Sequence, residues 1–301
     1  MITPNFLKKG DTIGIVAPAR KISSIELKPA ADKLKKWGLN VVFAKNINKS
    51  FHQFAGNDEV RLAGFQSLLD DDNVQAIIAG RGGYGTIRII EKLNFDKFVK
   101  NPKWIIGYSD ITVLHSYIHE KFGIETMHAV MPVNFPFNGD DSESILSLKK
   151  AIFGESLKYH FDPDEKNREG SATGQLVGGN LSVLYSMRGT SFDLNTDGKI
   201  LFIEDLDEYL YHIDRMIMNF KIGGKFDKIK GLIVGALSDM NDNLVPYGKD
   251  AYEIVADAVK DFNFPVCFNF PAGHIDPNEA MIFGRKIKMS VTDKGTKISF
   301  E

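Results

Sequence analysis

Short apolar runs alternate with segments of helical periodicity along the first half of the sequence. Apolar runs with the length of strands occupy residues 12–17, 40–43, 76–79, 104–106 and 125–128. Helical patterns occupy residues 24–37, 57–69, 86–93, 110–122 and 142–153. Repeated β–α units with apolar strands are typical of a parallel sheet that is covered by helices on both faces. The first half is therefore predicted to be an α/β domain built on a parallel sheet.

The second half of the sequence has a more mixed pattern. Between residues 159 and 171 the composition shifts to Asp, Glu, Lys, Arg, Pro and Gly, which predicts a boundary between domains of residues 1–160 and 170–301. Residues 281–300 alternate apolar and polar positions around Asp293-Lys-Gly295, which is the pattern of a β-hairpin. Strands are predicted at 199–203, 231–237 and 266–270, helices at 208–220 and 251–262, and a strand, a glycine turn and a helix start at 174–184. The C-terminal domain is therefore predicted to be smaller, mixed and rich in β-structure.

The composition and net charge of the chain exclude several classes of protein. Of the 301 residues, 43% are hydrophobic and 25% are charged, as in ordinary globular proteins. Lys and Arg number 37 against 39 Asp and Glu, and this formal charge of -2 argues against a general attraction to nucleic acid or anionic lipid. Cys267 is the single cysteine, so no internal disulfide can form and a reducing compartment is expected. No apolar run has the length of a signal-peptide core or a membrane span, so we expect a cytoplasmic protein.

The stretch from Trp104 to Leu114 predicts a buried strand that turns abruptly into a helix, with Ser109 on the bend. A serine there is lifted out of the sheet beside the first free N–H groups of the helix, so the turn can offer a nucleophile and part of an oxyanion site. Ser and Asp are also among the best N-cap residues, so Ser109 or Asp110 could serve only to cap the helix. The pattern leaves both interpretations open.

The segment Gly80-Arg-Gly-Gly-Tyr-Gly85 lies between a predicted strand and a helix and matches the G-x-G-x-x-G pattern of dinucleotide sites. It follows the third strand rather than the first, and Gly107 and Tyr108 stand where an acid would be expected. A glycine turn can instead aim backbone N–H groups at an oxyanion or a substrate, or be only a tight turn that needs positive φ. A nucleotide-dependent enzyme and a non-catalytic binding protein with these loops along a cleft stay open as alternatives.

Glu204 and His274 follow predicted strands of the second half. A carboxylate at position 204 could orient a histidine, bind a metal with Asp205 and Asp207, or simply face solvent. His274 follows Pro-Ala-Gly in a predicted loop and could be a surface residue.

Metal binding is the weakest of these possibilities. The sequence has no H-E-x-x-H pattern, no cysteine pair and no histidine at short ligand spacing from these acids. His115 and His119 lie four residues apart on the helix after Ser109, and we expect them to be partners on one helix face. No metal is therefore expected.

Six segments together resemble the LD-carboxypeptidase family of serine peptidases along nearly the whole chain. Each is weak alone, but their occurrence in the family's order is a specific signal. They are Lys9-Gly-Asp-Thr-Ile-Gly-Ile-Val-Ala-Pro-Ala19, Gly80-Arg-Gly-Gly-Tyr-Gly85, Gly107-Tyr-Ser-Asp110, Leu176-Val-Gly-Gly-Asn-Leu181, Leu201-Phe-Ile-Glu-Asp205 and Pro271-Ala-Gly-His274.

The resemblance implies a Ser-Glu-His triad. Ser109 matches the nucleophile, His274 the general base, and Glu204 the residue that orients the histidine. In the family, the serine lies on an N-terminal α/β domain, Glu and His lie on a smaller β-rich C-terminal domain, and the active site forms at the junction of the two domains.

The resemblance also implies the groups around this triad, without any cofactor. The oxyanion donors carried over are the backbone N–H of Asp110 and one from Gly82 or Gly83. Arg81 is the candidate for the free carboxylate of a substrate, and Tyr84 of the same loop for a further substrate contact.

The family's usual reaction removes the terminal D-alanine from a murein tetrapeptide, after the L-configured centre of a diamino acid, in cell-wall recycling. The implied partner is therefore a small peptide, with neither nucleic acid nor membrane, and a homodimer is expected from the family's habit. Relatives that resemble microcin C immunity proteins cleave an aminoacyl-nucleotide amide instead. The shared triad does not separate the two activities.

Overall fold

The structure is a computed structural model that describes residues 1–301. The chain divides into two units. Unit 1 consists of Met1–Glu155 and Glu279–Met281, and unit 2 consists of Ser156–Asn278 and Ile282–Glu301.

A parallel sheet lies at the centre of unit 1. Its strands are β1 (Thr12–Val16), β2 (Asn40–Phe43), β3 (Val74–Ala79), β4 (Trp104–Ile106) and β5 (Thr126–His128). They pair in parallel in the order β5-β4-β3-β1-β2, and β4 and β5 are buried throughout. The apolar runs of the sequence are therefore the strands of a parallel sheet, as predicted, and all of them except β2 are largely buried.

Five α-helices accompany these strands: α1 (Lys28–Lys36), α2 (Asp58–Leu69), α3 (Asp96–Lys100), α4 (Thr112–Phe122) and α5 (Glu143–Ile152). Short 3₁₀ turns lie at Thr86–Arg88, Ile90–Lys92, Ser109–Ile111 and Pro132–Asn134. The side chains of Asn57 and Ser142 cap α2 and α5 by accepting backbone N–H groups of the first turn.

Two predicted helices of unit 1 differ from the structure. The helix predicted from residue 24 begins at Lys28, because Pro29 fits only the first turn of a helix. The helix predicted over 86–93 is instead two 3₁₀ turns. Four of the five residues 86–90 are β-branched, which lowers helix propensity.

Unit 2 is built on a mixed sheet. Its strands are β6 (Lys158–Phe161), β7 (Gly170–Asn180), β8 (Ile200–Leu206), β9 (Gly231–Ser238), β10 (Val266–Cys267), β12 (Lys286–Thr292) and β13 (Gly295–Phe300), and its helices are α6 (Leu181–Ser186), α7 (Leu210–Ile222) and α8 (Ala251–Val259). The order is β10-β9-β8-β7-β12-β13-β6, with β7 to β10 parallel and the remaining pairs antiparallel. The predicted C-terminal hairpin is confirmed as β12 and β13, which are joined by Asp293 and Lys294.

Three details of unit 2 were not evident from the sequence pattern. The segment 159–171, predicted as a boundary, contains most of β6 and the start of β7. The glycine turn predicted within 174–184 is absent, because β7 continues through Gly178, where an added Cβ would lie 1.9 Å from the carbonyl oxygen of Phe202. The strand predicted over 266–270 ends at Cys267, since Asn269 takes a positive φ of 56°.

A segment from far along the chain belongs to unit 1. The backbone N–H of Ala280 donates to the Ser147 hydroxyl over 3.0 Å. Met281 begins β11 (Met281–Phe283), the short strand beside β5 at the edge of the first sheet. The predicted fold class, α/β with a parallel sheet and a second β-rich part, is confirmed. No helix combines the length and the apolar character that crossing a membrane requires.

Candidate active site

Ser109 occupies a strained turn directly after β4. Gly107 has a φ of 152°, Tyr108 is extended, and Ser109 itself takes a φ of 63° before the 3₁₀ turn leads into α4. The left-handed region is rare for residues other than glycine and costs on the order of 1 kcal/mol or more. The Ser109 side chain caps neither the 3₁₀ turn nor α4. The capping interpretation of Ser109 is therefore wrong, and its half-buried hydroxyl is left for another role.

The glycine loop 80–85 packs directly against Ser109. A Cβ added to Gly82 would lie 2.9 Å from the Cβ and 3.0 Å from the Oγ of Ser109. Gly83 and Gly85 have positive φ values of 109° and 143°, which residues with side chains rarely adopt. The loop therefore approaches the serine closely because glycine is present, and unit 1 brings together Ser109, Asp110, Gly82 and Gly83.

Buried charged groups hold this loop in place. The carboxylate of Asp110 accepts the Thr86 N–H at 2.9 Å, so it bonds the end of the loop rather than its own helix. Burial raises the pKa of Asp110, and the hydrogen bonds from Thr86 and Gly85 oppose that rise. On the other side, the fully buried Arg61 guanidinium donates to the carbonyl of Gly85 at 2.7 Å.

Arg61 has two further partners. It donates to the carbonyl of Pro18 at 2.6 Å and forms an ion pair with Asp58, which also pairs with Arg88 at 2.9 Å. The sequence analysis did not identify Arg61, because nothing in the pattern of α2 distinguishes it from an ordinary charged residue of a helix. Of the two remaining loop residues, Arg81 is partly buried and Tyr84 is 53% exposed.

In unit 2, Glu204 and His274 are hydrogen-bonded to each other. Glu204 lies in β8 and is completely buried, and its Oε2 lies 2.7 Å from Nδ1 of His274, whose side chain is 14% exposed. Gly273, with a φ of 118°, permits this approach, because a Cβ there would lie 2.8 Å from the same carboxylate oxygen. A carboxylate that accepts the Nδ1 proton leaves Nε2 as the basic nitrogen.

The charge on Glu204 outweighs the burial of His274. Burial alone would lower the pKa of His274, but the hydrogen bond and charge of Glu204, with a smaller effect from Asp205, raise it above the usual value. This imidazole therefore accepts a proton more readily than an ordinary histidine.

Asp205 has a different role from its neighbour. Its carboxylate accepts the Asn180 amide at 2.9 Å and the Ser182 N–H at 2.8 Å, which ties β8 to the start of α6. Burial and then the charge of Glu204 raise the pKa of Asp205 to about 7. The Leu-Val-Gly-Gly-Asn-Leu segment contributes to the family resemblance, but its sequence does not show that Asn180 bonds this acid.

The two histidines of α4 bond groups outside the helix. His115 Nε2 lies 2.9 Å from the Gly107 carbonyl oxygen, and His119 Nε2 lies 3.1 Å from the Thr126 hydroxyl. Burial lowers the pKa of His115 to about 4, so it is neutral under ordinary conditions and its Nε2–H can donate to the carbonyl before the Ser109 turn. No group of three or more His, Cys, Asp or Glu side chains is arranged to hold a metal ion.

Comparisons with known proteins cover both units. The family model for the LD-carboxypeptidase N-terminal domain matches residues 13–129, and that for the LD-carboxypeptidase C-terminal domain matches residues 173–289. A probable murein peptide carboxypeptidase from Bacillus subtilis is 36% identical over an alignment of 299 positions that covers 97% of this chain and 92% of that protein. The microcin C7 self-immunity protein MccF from Escherichia coli is 25% identical over 97% of this chain and 94% of that protein.

A solved structure shares the fold over nearly the full length. The crystal structure of muramoyltetrapeptide carboxypeptidase from Oxalobacter formigenes matches with a TM-score of 0.87 and 26% identity, covering 96% of this chain and 98% of that chain. The two matching domain models and a 36% identical relative along almost the whole sequence lead to one conclusion. The chain belongs to the LD-carboxypeptidase family.

Proposed function

We propose that the protein is a serine LD-carboxypeptidase that removes the terminal D-alanine from murein tetrapeptides. The observation that carries the proposal is the 2.7 Å hydrogen bond between the buried Glu204 and His274, because it prepares Nε2 of the imidazole to act as a base. The strained turn holds Ser109, whose side chain caps neither the 3₁₀ turn nor α4, and this serine is the matching nucleophile in unit 1. Similarity to a probable murein peptide carboxypeptidase supports the substrate class.

The proposed mechanism is acyl transfer through Ser109. His274 Nε2 takes the proton of the Ser109 hydroxyl while the serine oxygen attacks the carbonyl carbon of the terminal peptide bond. The imidazolium, stabilised by Glu204, then gives its proton to the departing amino group of D-alanine. His274 then takes a proton from a water molecule, which attacks the carbonyl carbon of the acyl-enzyme. The shortened peptide is released, and the proton returns to Ser109.

Backbone N–H groups of Asp110 and of Gly82 or Gly83 would hold the oxyanion. Donors on rigid backbone need no reorganisation during the reaction, and losing one such donor costs roughly 10²–10³ in rate. The hydrogen bonds that Asp110 and Arg61 form with Thr86 and Gly85 at the end of the glycine loop supply that rigidity. Arg81 would bind the free carboxylate of the substrate, and Tyr84 would contact the peptide at the exposed rim.

Release of free D-alanine from a purified murein tetrapeptide tests the proposal. We expect the wild-type protein to release it and Ser109→Ala to lose about 10⁴-fold or more of the rate, since the nucleophile is removed. Ser171→Ala, which changes an exposed serine of unit 2, is the matched control and should keep full activity. Full activity in Ser109→Ala would rule out this serine as the nucleophile.

A second candidate activity is the hydrolysis of an aminoacyl-nucleotide amide. The 25% identical MccF protein, which covers 97% of this chain, favours it. Measuring kcat/KM for a murein tetrapeptide and for an aminoacyl-nucleotide amide with the same enzyme separates the two. A higher value for the nucleotide substrate would replace the peptidase proposal.

Three finer assignments belong to the same proposal: cytoplasmic location, a role in cell-wall recycling and a homodimeric state. The first is supported by the single, buried Cys267, which fits a reducing compartment. The other two rest on the family resemblance alone.

A further inference from the structure

Arg20, a residue outside the proposed triad and its oxyanion donors, lies along the glycine loop. Its backbone N–H donates to the Gly82 carbonyl at 3.4 Å, and it forms a β-bridge with Phe54 on its other side. A Cβ added to Gly83 would lie 2.9 Å from the Cβ of Arg20 and 3.3 Å from its Cδ. The stem of the Arg20 side chain therefore rests on Gly83, next to the glycine that packs on Ser109.

A second arginine, Arg81, belongs to the glycine loop itself. Burial lowers the pKa of Arg81 and the positive charge of Arg20 lowers it further, while Glu26 opposes both. The two guanidinium groups are therefore close enough to repel each other. Glu26 is already bonded, since it accepts the N–H and the hydroxyl of Ser23 at 2.8 and 2.7 Å.

Neither arginine forms an ion pair with a carboxylate of the protein, although the charge of Glu26 acts on Arg81. No side-chain hydrogen bond or ion pair joins Arg20 or Arg81 to another residue, although Arg81 is partly buried. The other arginines of unit 1, Arg61 and Arg88, instead share Asp58. The like charges of Arg81 in the loop and Arg20 beside it repel each other, and an anion bound between or beside them would relieve that repulsion. Arginine is the side chain best suited to binding carboxylates.

We propose that Arg20 and Arg81 form a two-carboxylate site for the substrate. This inference rests on the proposed function, in which Arg81 binds the terminal carboxylate. Arg20 binds a second carboxylate, on the side chain of the diamino acid that precedes the scissile bond. The enzyme therefore selects peptides whose diamino acid keeps a free carboxylate over those in which it is amidated.

Two tetrapeptides that differ only in this group, free acid and carboxamide, test the proposal by steady-state kinetics. Arg20→Gln should lower kcat/KM for the acid about 10- to 100-fold, mainly through KM, because a charge-assisted hydrogen bond made in both ground and transition states is lost. For the carboxamide the change should stay below about threefold.

Lys21→Gln is the matched control, because it removes the same charge one residue away, where the Lys21 ammonium contacts Ser50 at 3.5 Å. Lys21→Gln should leave kcat/KM unchanged for both the acid and the carboxamide. An equal loss on both peptides in Arg20→Gln would show that the residue only supports the loop, and no loss on either would show that it binds nothing. Either result overturns the inference.

Binding measured without turnover separates this inference from the proposed function. Isothermal titration of the Ser109→Ala protein with both peptides should show tighter binding of the acid, and Arg20→Gln in that background should abolish the preference. A preserved preference overturns the inference even if the wild-type enzyme releases D-alanine. A preference that Arg20→Gln abolishes supports it even if no D-alanine is released, and absence of all binding contradicts it.

Discussion

At the scale of single residues, Glu204 is held in a way that favours chemistry over stability. One carboxylate oxygen bonds His274, whereas the other, Oε1, is buried with no hydrogen-bond partner. A buried acceptor without a partner costs roughly 1–3 kcal/mol, so an apolar residue at this position would be less costly to the fold. The observed arrangement raises the basicity of the imidazole instead.

This arrangement predicts the pH dependence of activity. A general base must be neutral, so kcat/KM should rise with pH through the pKa of His274, which lies above the usual 6.5. Glu204→Gln removes the charge that stabilises the imidazolium, so the same limb should shift to lower pH. The plateau should also fall roughly 10²–10⁴-fold, because the tautomer of His274 is no longer fixed. Profiles of kcat/KM from pH 5 to 9 measure both effects.

The chain offers a matched control for this variant. Glu208 and His212 form a similar pair in unit 2, with Oε2 and Nδ1 2.6 Å apart and both side chains partly exposed. Glu208→Gln should leave the profile unchanged. An unshifted limb in Glu204→Gln would mean that another group controls the pH dependence.

At the scale of elements, the turn after β4, the glycine loop and α4 are connected by side chains far apart in sequence. Asp110 bonds Thr86 of the loop, Arg61 bonds Gly85 from α2, and His115 of α4 bonds the Gly107 carbonyl. The strand-to-helix pattern around Ser109 was evident from the sequence, because it depends on neighbouring residues. These connections were not, since the partners are separated by 24, 24 and 8 positions.

The same distinction explains the errors in the element predictions. The hairpin at Asp293 and Lys294 and the strand β4 depend on local pattern and were predicted correctly. The passage of β7 through Gly178 depends on its approach to Phe202 in β8, and a glycine pair by itself indicates a turn. Local patterns thus give most of the elements and the bend at Ser109, but not the tertiary contacts that hold the loop.

The close packing of loop and turn predicts a selective effect of Gly82→Ala. The added methyl group would meet the Ser109 side chain at 2.9 Å, which forces the nucleophile or the loop to move. We expect kcat/KM to fall about 10²-fold or more while the free energy of unfolding changes by only about 1–2 kcal/mol, since the main clash is local. Tetrapeptide hydrolysis and urea unfolding measure the two quantities.

Gly10→Ala controls for the general effect of an added methyl group in unit 1, because a Cβ there meets nothing within 4 Å. It should keep its activity although its φ of 92° makes it mildly destabilising. Unchanged activity in Gly82→Ala would contradict the packing of the loop on the serine.

Asp205, whose hydrogen bonds connect β8 to the start of α6, predicts a pH dependence of the free energy of unfolding. The pKa of Asp205 is about 7 in the folded protein and about 3.9 in an unfolded chain, so the folded state binds this proton more tightly. Its contribution to stability is therefore full below pH 4 and is lost as the pH rises toward 7, by roughly 2–4 kcal/mol. Asp205→Asn should flatten the fall in unfolding free energy between pH 4.5 and 7.5, measured by urea denaturation.

Asp162→Asn is the control, because it removes an exposed carboxylate of the same unit. Its pH dependence should match that of the wild type. An equally steep fall in Asp205→Asn would show that this carboxyl ionises as it does in water.

At the scale of the whole molecule, the chain leaves unit 1 at Glu155 and returns to it for Glu279–Met281 alone. The Ala280 N–H, which donates to the Ser147 hydroxyl, makes one of the contacts that fix this return. A segment of three residues is too short to show a pattern of its own, so the sequence predicted only one boundary between the two domains. The family model at residues 13–129 lies within unit 1, and the model at residues 173–289 lies within unit 2 apart from Glu279–Met281. Ser109 belongs to unit 1, and Glu204 and His274 belong to unit 2.

The proposed triad therefore needs both units, which the two could supply from one chain or from two chains of a homodimer. Co-expression of Ser109→Ala and His274→Ala with different tags, followed by isolation of the mixed species, distinguishes these cases. We expect no D-alanine release, because each chain would lack one residue of its own triad. If two chains shared each site, about half of the sites in the mixed species would regain an intact triad. Activity near that level, with wild type paired with Ser109→Ala as the positive control, would contradict a triad built within one chain.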